Sequence, residues 1–543
     1  MNRTRRGTMR IHAGIWTALL AMLLTATPVS AAPGDNQGRG EEQRSARAEA
    51  ALEAAQDLFR PRGYMAPQHG PHARRTPVNP AAEHASLVLR DLALSLDDLE
   101  PEDRLLAQRL LARPSDGRKD PWPNVKYGSQ PRAYTCSDTA AFCLHWVTKQ
   151  GSKDAPNLTD SDGDSVPDWV EENQRVFEEV WQRIVVDLGY RPPVPDGAVA
   201  MHGPDERTDI YLADLGGYGM YGYCTVDNQQ SKAAYCVMDE DFEEFIAPPG
   251  KSLRVTAAHE FFHAVQFRYN LAADKWLMEG TAAWIEDEVY DDINDNLQFL
   301  ARSALQYPHA SLDFIAADDY RWFYGSWIWW RFLAEKYGAP GKPDPLVIRQ
   351  VWDRVGWGQG SLQAQRNVLD KRRSTFRNAF ADFGAATRVV GRWYDEGHSY
   401  RRFVGRPTGR FTLTKERRDT GWKVTNIDHL STKHAVLRPG KGLHGRWRLT
   451  VALDLPHRFR GSVARALVHR KDGTVRWIRV GLSRKGNARF VVAFNNRKIS
   501  RVTLSLANAS TRMTKCHTGT LWSCGGQPRD DGLTFGFRAH VRR

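Results

Sequence analysis

The stretch Val255-Thr-Ala-Ala-His259-Glu260-Phe-Phe-His263-Ala-Val-Gln266 has the spacing of a helix that presents two histidines on one face. His259 and His263 are four residues apart, so their imidazoles lie one above the other and can reach a single ion. Glu260 follows the first histidine directly, where its carboxylate can face a water on that ion. The pattern therefore predicts a helix and a metal site together.

A second stretch, Trp276-Leu-Met-Glu279-Gly-Thr-Ala-Ala-Trp284, offers a third ligand. Glu279 stands sixteen residues after His263, on a helix predicted from Trp276 to about Tyr290, and would leave a fourth position to water. We prefer it to two later acids on the same helix, Glu286 and Glu288. Three small residues should let this helix pack closely on the first one: Gly280, Ala282 and Ala283.

Where the first helix begins is indicated by a break in the chain. Pro248-Pro249-Gly250 interrupts the preceding segment. Ser252 follows it and is of a residue type that favours helix N-caps, because its hydroxyl can accept a hydrogen bond from a backbone N–H of the first turn. We therefore expect the helix to start next to Ser252.

The first 31 residues have the three consecutive parts of a bacterial signal peptide. Residues 1–31 carry a basic start, an apolar run from Ile15 to Ala26 and the small-residue site Val29-Ser30-Ala31. The apolar run is shorter than the roughly 20 residues that a membrane span needs, and no later segment is apolar enough for one. The sequence predicts a secreted, extracellular protein without a transmembrane span in its mature form.

All six cysteines follow this predicted signal peptide. An even number in an exported chain indicates disulfides, although number alone does not fix the pairing. The spacing groups the cysteines into three close pairs, which we predict to be bonded: Cys136–Cys143, Cys224–Cys236 and Cys516–Cys524. None of them forms a C-x-x-C motif, which argues against a zinc site made of cysteines.

The net charge of +13 is unevenly distributed. Residues 401–543 hold 32 Lys and Arg against 7 Asp and Glu, a balance of +25, which leaves −12 for the rest of the chain. Short alternating segments such as Arg446 to Leu453, separated by turns, predict a β-sandwich in this region. Its charge would suit an anionic cell-wall polymer or polysaccharide surface, with a merely solvated basic face as the alternative. No pattern specific for nucleic acid is present.

Residues 32–130 form a separate N-terminal region. Asp35 to Arg47 is polar and charged, which predicts a flexible segment. Apolar periodicity then predicts helices at about Ala48–Phe59 and Ser86–Leu111, joined by a linker rich in Pro, His and Gly (61–80). Two hypotheses stay open for this region: a pro-region that covers the active site until it is cleaved, or a helical extension.

An acidic loop occupies residues 160–171 of a central domain predicted to span residues 131–400. Its oxygen-bearing side chains have the spacing of an EF-hand type of calcium loop, with one backbone carbonyl in the series: Asp160, Asp162, Asp164, Val166 (carbonyl), Asp168 and Glu171. Ser165 departs from that pattern because a glycine is usual there, and Gly163 stands two residues earlier. We predict a structural Ca²⁺ site, against the alternative of four aspartates in a solvated turn.

Strands are predicted just before the helix that carries the histidines. Asp209 to Leu215 and Ala234 to Met238 have the composition of strands. An edge of their sheet could pair with an extended peptide, and ordinary core strands would look the same.

An aromatic segment follows the two helices. Tyr324 within it is our choice for a hydroxyl that donates to a developing oxyanion, with His309 and Tyr320 as alternatives and simple packing as the competing role.

His259-Glu-Phe-Phe-His263-Ala-Val-Gln266 together with the stretch around Glu279 resembles the core of the gluzincin zinc metallopeptidases, and more narrowly secreted bacterial metalloproteases with an HEFFHAVQ…EGTA core. The resemblance extends from about residue 136 to 335. It implies a zincin-like fold of the α+β class, His259, His263 and Glu279 as zinc ligands, and Glu260 as catalytic base.

Two departures from the gluzincin pattern bear on the site. The gap between His263 and Glu279 is shorter than in the best-known members. Ala283 stands where those enzymes often have an Asp that supports a ligand histidine, so a carbonyl or Glu286 would have to take that part.

The sequence thus yields two hypotheses from different classes. The first is a secreted zinc-dependent metalloprotease that hydrolyses peptide bonds of a protein or peptide substrate through a metal-activated water. The second is a secreted cell-wall or polysaccharide-binding protein whose metal site is structural or degenerate. The presence of Glu260 favours the first, because a purely structural site has no need of that carboxylate. The cofactors expected are Zn²⁺ and structural Ca²⁺.

Overall fold

The computed structural model describes six ranges of the chain: 35–60, 82–119, 127–197, 204–245, 247–314 and 321–543. The predicted signal peptide (1–31) and the predicted linker (61–80) lie outside them. Helices and one mixed sheet dominate up to about residue 403, and strands dominate after it. The chain is therefore a mixed α and β protein, as the predicted α+β class requires.

The described part of the N-terminal region forms three α-helices: α1 (Asp35–Leu58), α2 (Ala85–Ser95) and α3 (Pro101–Leu110). The prediction of a flexible segment from Asp35 to Arg47 is wrong, because Glu, Gln, Arg and Ala there are strong helix formers and α1 buries Ala48, Leu52 and Ala55. The single helix expected over Ser86–Leu111 is two helices. Pro101 starts the second one, since proline is favoured at the first helical position and disfavours helix before it.

The central domain contains a five-stranded sheet. Its strands are β1 (Arg132–Cys136), β2 (Phe142–Val147), β3 (Thr208–Ala213), β4 (Gly222–Val226) and β5 (Ala234–Asp239), in the order β1-β2-β3-β5-β4. β2, β3 and β5 run parallel, and the two edge strands pair antiparallel with their neighbours. Both predicted strands are present, and they lie in the middle of the sheet. β4, which was not predicted, forms the edge.

Helix α4 (Asp168–Trp181) follows the acidic loop, and α5 (Pro249–Asn270) and α6 (Lys275–Val289) carry the histidines and Glu279. The prediction that Ser252 caps α5 is wrong. The helix begins at Pro249, because prolines fit the first positions of a helix, where no N–H partner is needed. Ser252 lies inside the first turn and its hydroxyl donates to the Ala247 carbonyl at 3.3 Å.

Seven helices complete the domain: α7 (Arg321–Gly325), α8 (Trp327–Tyr337), α9 (Leu346–Gly356), α10 (Ser361–Lys371), α11 (Phe376–Ala386), α12 (Val390–Trp393) and α13 (Gly397–Tyr400). Gly280 of α6 packs against a segment that the sequence did not predict as its neighbour. A Cβ on Gly280 would lie 2.1 Å from Ser326 Oγ and 2.8 Å from Trp330 Nε1. Gly280 therefore allows close packing of α6 on the start of α8.

The C-terminal region consists of strands β6 (Gly409–Leu413), β7 (Asp419–Ile427), β8 (Ser431–Pro439), β9 (Arg448–Asp454), β10 (Ser462–Arg470), β11 (Val475–Arg479), β12 (Asn487–Ala493), β13 (Ile499–Asn508), β14 (Met513–Thr514), β15 (Gln527–Pro528) and β16 (Leu533–Arg542). Two larger sheets have the orders β11-β10-β13-β8-β6 and β12-β9-β16-β7. Leu437 and Leu504 of the first share one hydrophobic core with Leu449 and Phe537 of the second. This is the arrangement of a β-sandwich.

All three predicted disulfides are confirmed: Cys136–Cys143, Cys224–Cys236 and Cys516–Cys524. The first two link directly opposite residues of antiparallel strand pairs, and the third closes a short loop. Within the described ranges, no helix is long and apolar enough to cross a membrane.

Candidate metal centre

Three side-chain atoms from α5 and α6 converge on one point. His259 Nε2 lies 3.1 Å from His263 Nε2 and 3.2 Å from Glu279 Oε2, and His263 Nε2 lies 3.5 Å from the same oxygen. A tetrahedral zinc ion with ligand bonds of about 2.0–2.1 Å holds its ligand atoms about 3.3–3.4 Å apart. The spacing of the three atoms fits such an ion.

The far side of the first imidazole is held by Glu286. His259 Nδ1 donates to Glu286 Oε1 at 2.6 Å, and both side chains are buried. With its proton on Nδ1, His259 turns the Nε2 lone pair toward the other two ligand atoms, as a metal ligand must. Glu286 therefore accepts the hydrogen bond from His259 Nδ1, for which the gluzincin pattern would use an Asp at position 283. The sequence had named it as one of two replacements for that residue.

The second imidazole is oriented by Gln266, which sequence reasoning missed. His263 Nδ1 lies 2.8 Å from Gln266 Oε1. The amide cannot be turned around, because its Nε2 donates to the Met278 carbonyl at 2.9 Å and to Thr281 Oγ1 at 3.1 Å. Gln266 Oε1 thus accepts from His263 and leaves that Nε2 lone pair facing inward. The spacing of three residues on α5 was the signal that could have found it.

A tight connection explains how the short gap between the ligands is spanned. Only residues 271–274 separate α5 from α6. Asp274, the last of them, accepts hydrogen bonds from the Ser361 hydroxyl and from the Cys524 N–H, the latter at 2.7 Å. Two distant parts of the chain therefore fix the turn that returns Glu279 to the histidines.

The C-terminal sandwich contributes directly to this support. The disulfide-closed loop Cys516–Cys524 lies on the first turn of α6, where Trp276 Nε1 donates to Ser523 Oγ at 2.9 Å. The Ser523 hydroxyl in turn donates to Asp313 Oδ2 at 2.6 Å. No local sequence pattern could have predicted these contacts, because Trp276 and Ser523 are 247 residues apart.

Glu260 lies beside the ligands with its own partners. Its Oε2 accepts from the Ser86 hydroxyl at 2.6 Å and from the Cys224 N–H at 3.2 Å. Burial raises the pKa of Glu260 above its ordinary value, an effect that the nearby histidines only partly offset. A carboxylate with a raised pKa is suited to accept a proton near neutral pH.

The carboxyl of Glu279 behaves in the opposite way. Burial by itself would raise its pKa, but when the two imidazoles are protonated the charge of His263 and the hydrogen bond with His259 hold the pKa of Glu279 well below its ordinary value. The pKa values of the two glutamates are therefore shifted in opposite directions.

Tyr324 packs against the site through its ring. The ring is stacked on the His259 imidazole, with centroids 5.4 Å apart and planes at 15°. The packing role is thus present, and the hydroxyl as an oxyanion donor stays a prediction. Of the two alternatives, His309 is exposed, which removes it from a buried site, and Tyr320 lies outside the described residues.

The acidic loop brings three of its predicted ligands together. Carboxylate oxygens of Asp160, Asp162 and Asp164 lie within 4.8 Å of one another. Asp168 instead accepts from the Ser161 N–H at 2.8 Å, and from the Ser161 hydroxyl, at the start of α4. Ser165 has φ +78°. The backbone is therefore left-handed at the position where this type of loop usually has a glycine, although a serine stands there.

A calcium titration tests the loop. Adding Ca²⁺ to the zinc-loaded protein is expected to raise the melting temperature by roughly 2–10 °C, because a ligand that binds only the folded state stabilises it. Asp162→Asn should remove that response, and Asp187→Asn, an exposed acid outside the loop, should keep it. A melting temperature that does not change on adding Ca²⁺ would remove the calcium assignment.

A further group of acids, Asp239, Glu240 and Asp241, was not singled out from the sequence. Their carboxylate oxygens also lie within 4.8 Å of one another. Asp239 accepts from the N–H groups of Leu215, Gly216 and Phe242. The first of these acids therefore holds the glycine-rich turn after β3 in place.

No family model matches the chain, and no curated protein matches it. A function can therefore be inferred from the geometry of the site and from the resemblance of helices α5 and α6 to the gluzincin core.

Proposed function

We propose that this protein is a secreted zinc-dependent metallopeptidase with a zincin-like, gluzincin-type central domain. One observation carries the proposal: two imidazole Nε2 atoms and one carboxylate oxygen lie 3.1–3.5 Å apart, with both Nδ1 atoms hydrogen-bonded to acceptors. His259, His263 and Glu279 would hold the zinc. Glu260, adjacent to them, would be the catalytic base.

Each residue of the site would have a separate role in peptide hydrolysis. Bound zinc would polarise the scissile carbonyl and lower the pKa of a water in its open position. Glu260 would accept the proton of the attacking water at its carboxylate and pass it to the leaving amine. Glu286 and Gln266 keep the ligand imidazoles in one tautomer and one orientation. Hydrolysis by this route needs no covalent intermediate.

Glu260 also distinguishes this proposal from a structural metal site. A structural zinc is commonly closed by four protein ligands, whereas a catalytic zinc has three and keeps one position open. In the described residues the group at this centre comprises two histidines and one glutamate. A buried carboxylate with a raised pKa lies next to that group, which a structural site would not require.

The other predicted features fit the same proposal. Three disulfides are typical of proteins from oxidising compartments, and residues 1–31 would direct export. Ca²⁺ in the loop 160–171 would stabilise the start of α4. The basic sandwich of residues 401–543 would bind an anionic cell-wall or polysaccharide surface and bring the peptidase to it.

Metal removal tests the proposed activity. Hydrolysis of a quenched fluorescent peptide library should stop when a strong zinc chelator strips the protein, and Zn²⁺ should restore it, whereas Ca²⁺ alone should not. Hydrolysis that survives complete removal of zinc would contradict the proposal.

A further inference from the structure

The start of α2 lies inside the proposed active site. Ser86 Oγ is 2.6 Å from Glu260 Oε2, and the Cys224 N–H donates to Ser86 Oγ at 2.8 Å and to Glu260 at 3.2 Å. Cys224 belongs to β4, the edge strand of the sheet. A side chain from the N-terminal region thus lies between the sheet edge and the base, 174 residues away from Glu260 in sequence.

His84 makes a second contact of the same kind. Its Nδ1 lies 3.5 Å from Glu279 Oε1, the carboxylate oxygen opposite the one that faces the two ligand histidines. Its ring centroid is 5.0 Å from that of Tyr324. Residues 84 and 86 therefore reach both the third ligand and the base.

Burial shows what these contacts do to access. His259 is 6% exposed, Glu260 8%, His263 1% and Glu279 0%. A peptidase must place a scissile carbonyl next to its metal and the attacking water within hydrogen-bond reach of its base. The Ser86 hydroxyl occupies one of the hydrogen-bonding positions of Glu260, and His84 lies against Glu279. Because all four side chains of the site are almost fully buried, we infer that a substrate enters after the start of α2 has moved.

We propose that the segment His84–Ser86 keeps the enzyme latent, and that displacement of α2 opens the active site. The inference deepens the proposed peptidase function and rests on it. Of the two hypotheses that the sequence left open for residues 32–130, it selects the covering region over the simple extension.

The contacts that hold α2 can be released without breaking a covalent bond. Arg90 donates from Nη1 to the Ala273 carbonyl at 3.1 Å, and Asp91 forms an ion pair with Lys275. These contacts join the helix to the short turn before α6 and to the first residue of α6. No disulfide ties the region down, because the first cysteine of the chain is Cys136. Cleavage between α2 and α3, or competition for the contacts of α2, would suffice.

Ser86→Ala is the first test, with Ser95→Ala on the same helix as its matched control. Removing a hydrogen bond to a charged group should shift the closed and open populations by about 10- to 100-fold. We therefore expect Ser86→Ala to raise kcat/KM for peptide hydrolysis by at least about tenfold and to speed the loss of zinc to a chelator. Ser95→Ala should leave both rates at the wild-type values.

A recognition sequence for a specific protease, inserted between Leu99 and Glu100 so that α3 and the buried Arg113 stay with the sheet, gives the second test. Cutting there and removing the fragment at high salt should raise both hydrolysis and zinc release above those of the uncut protein. Glu260→Gln in the same background should release zinc equally fast and stay inactive. These results would show that the N-terminal region covers a working site.

Three outcomes are decisive. If zinc release is unchanged both by Ser86→Ala and by cleavage, the covering role is wrong. If cleavage lowers hydrolysis and folding is intact, the region is a permanent part of the site and latency is wrong. If zinc release accelerates but the open protein hydrolyses no peptide, the covering role stands and the peptidase function is wrong.

Discussion

Glu260→Gln is expected to lower kcat/KM for peptide hydrolysis by about 10²- to 10⁴-fold while zinc stays bound. The amide is nearly isosteric with the carboxylate and can still accept from the Ser86 hydroxyl, so the packing of α2 and α5 should persist. It cannot take a proton from water. The three ligand atoms are on other residues, and for this reason the loss should appear in the rate and not in the metal content.

The matched control for that substitution is Glu243→Gln, which makes the same chemical change at an exposed position. Peptide hydrolysis and zinc content are measured for both variants and the wild type in the same activation state. Activity of Glu260→Gln close to wild type would show that another group acts as base.

Arg113→Met is expected to lower the free energy of unfolding by about 3–5 kcal/mol. Arg113 is fully buried and donates to three carboxylates: to Asp227 through two bonds of 2.9 Å, to Asp196 at 2.9 Å and to Asp209 at 2.6 Å. Removal of the guanidinium leaves these carboxylates without their shared cation, and the side chains of Asp196 and Asp209 are buried away from water. Methionine fills the volume but not the charge.

Arg132→Met serves as the control, because Arg132 is exposed and makes a single 3.3 Å hydrogen bond to a carbonyl. Its effect on stability should stay within about 0.5 kcal/mol. Urea unfolding followed by tryptophan fluorescence measures both variants. Equal stability of Arg113→Met and the wild type would show that the buried carboxylates are neutral or otherwise compensated.

The candidate centre was predictable because its parts lie close together in sequence. The spacing of His259 and His263 fixes one helix face, and Glu279 needed only a second helix that returns after a short turn. The same locality explains why the disulfides were predictable: each pair is separated by 12 residues or fewer. Alternating patterns likewise identified the sandwich strands without any knowledge of their neighbours.

What could not be predicted depends on contacts between distant segments. Ser86 and His84 carry no motif, and their position at Glu260 and Glu279 is set by the packing of α2 on β4 and on the turn before α6. The support of α6 by Ser523 has the same origin. Local rules also competed with each other. At the start of α5, proline at the first helical position decided over the capping tendency of Ser252.

Metal analysis of the purified protein tests the central claim most directly. Wild type and Glu288→Ala, a neighbouring acid on the same helix that is not among the three converging residues, should each carry about one zinc per chain, and Glu279→Ala and His263→Ala should carry almost none. A wild-type chain without zinc, or a Glu279→Ala variant with the full amount, would contradict the assignment of the centre.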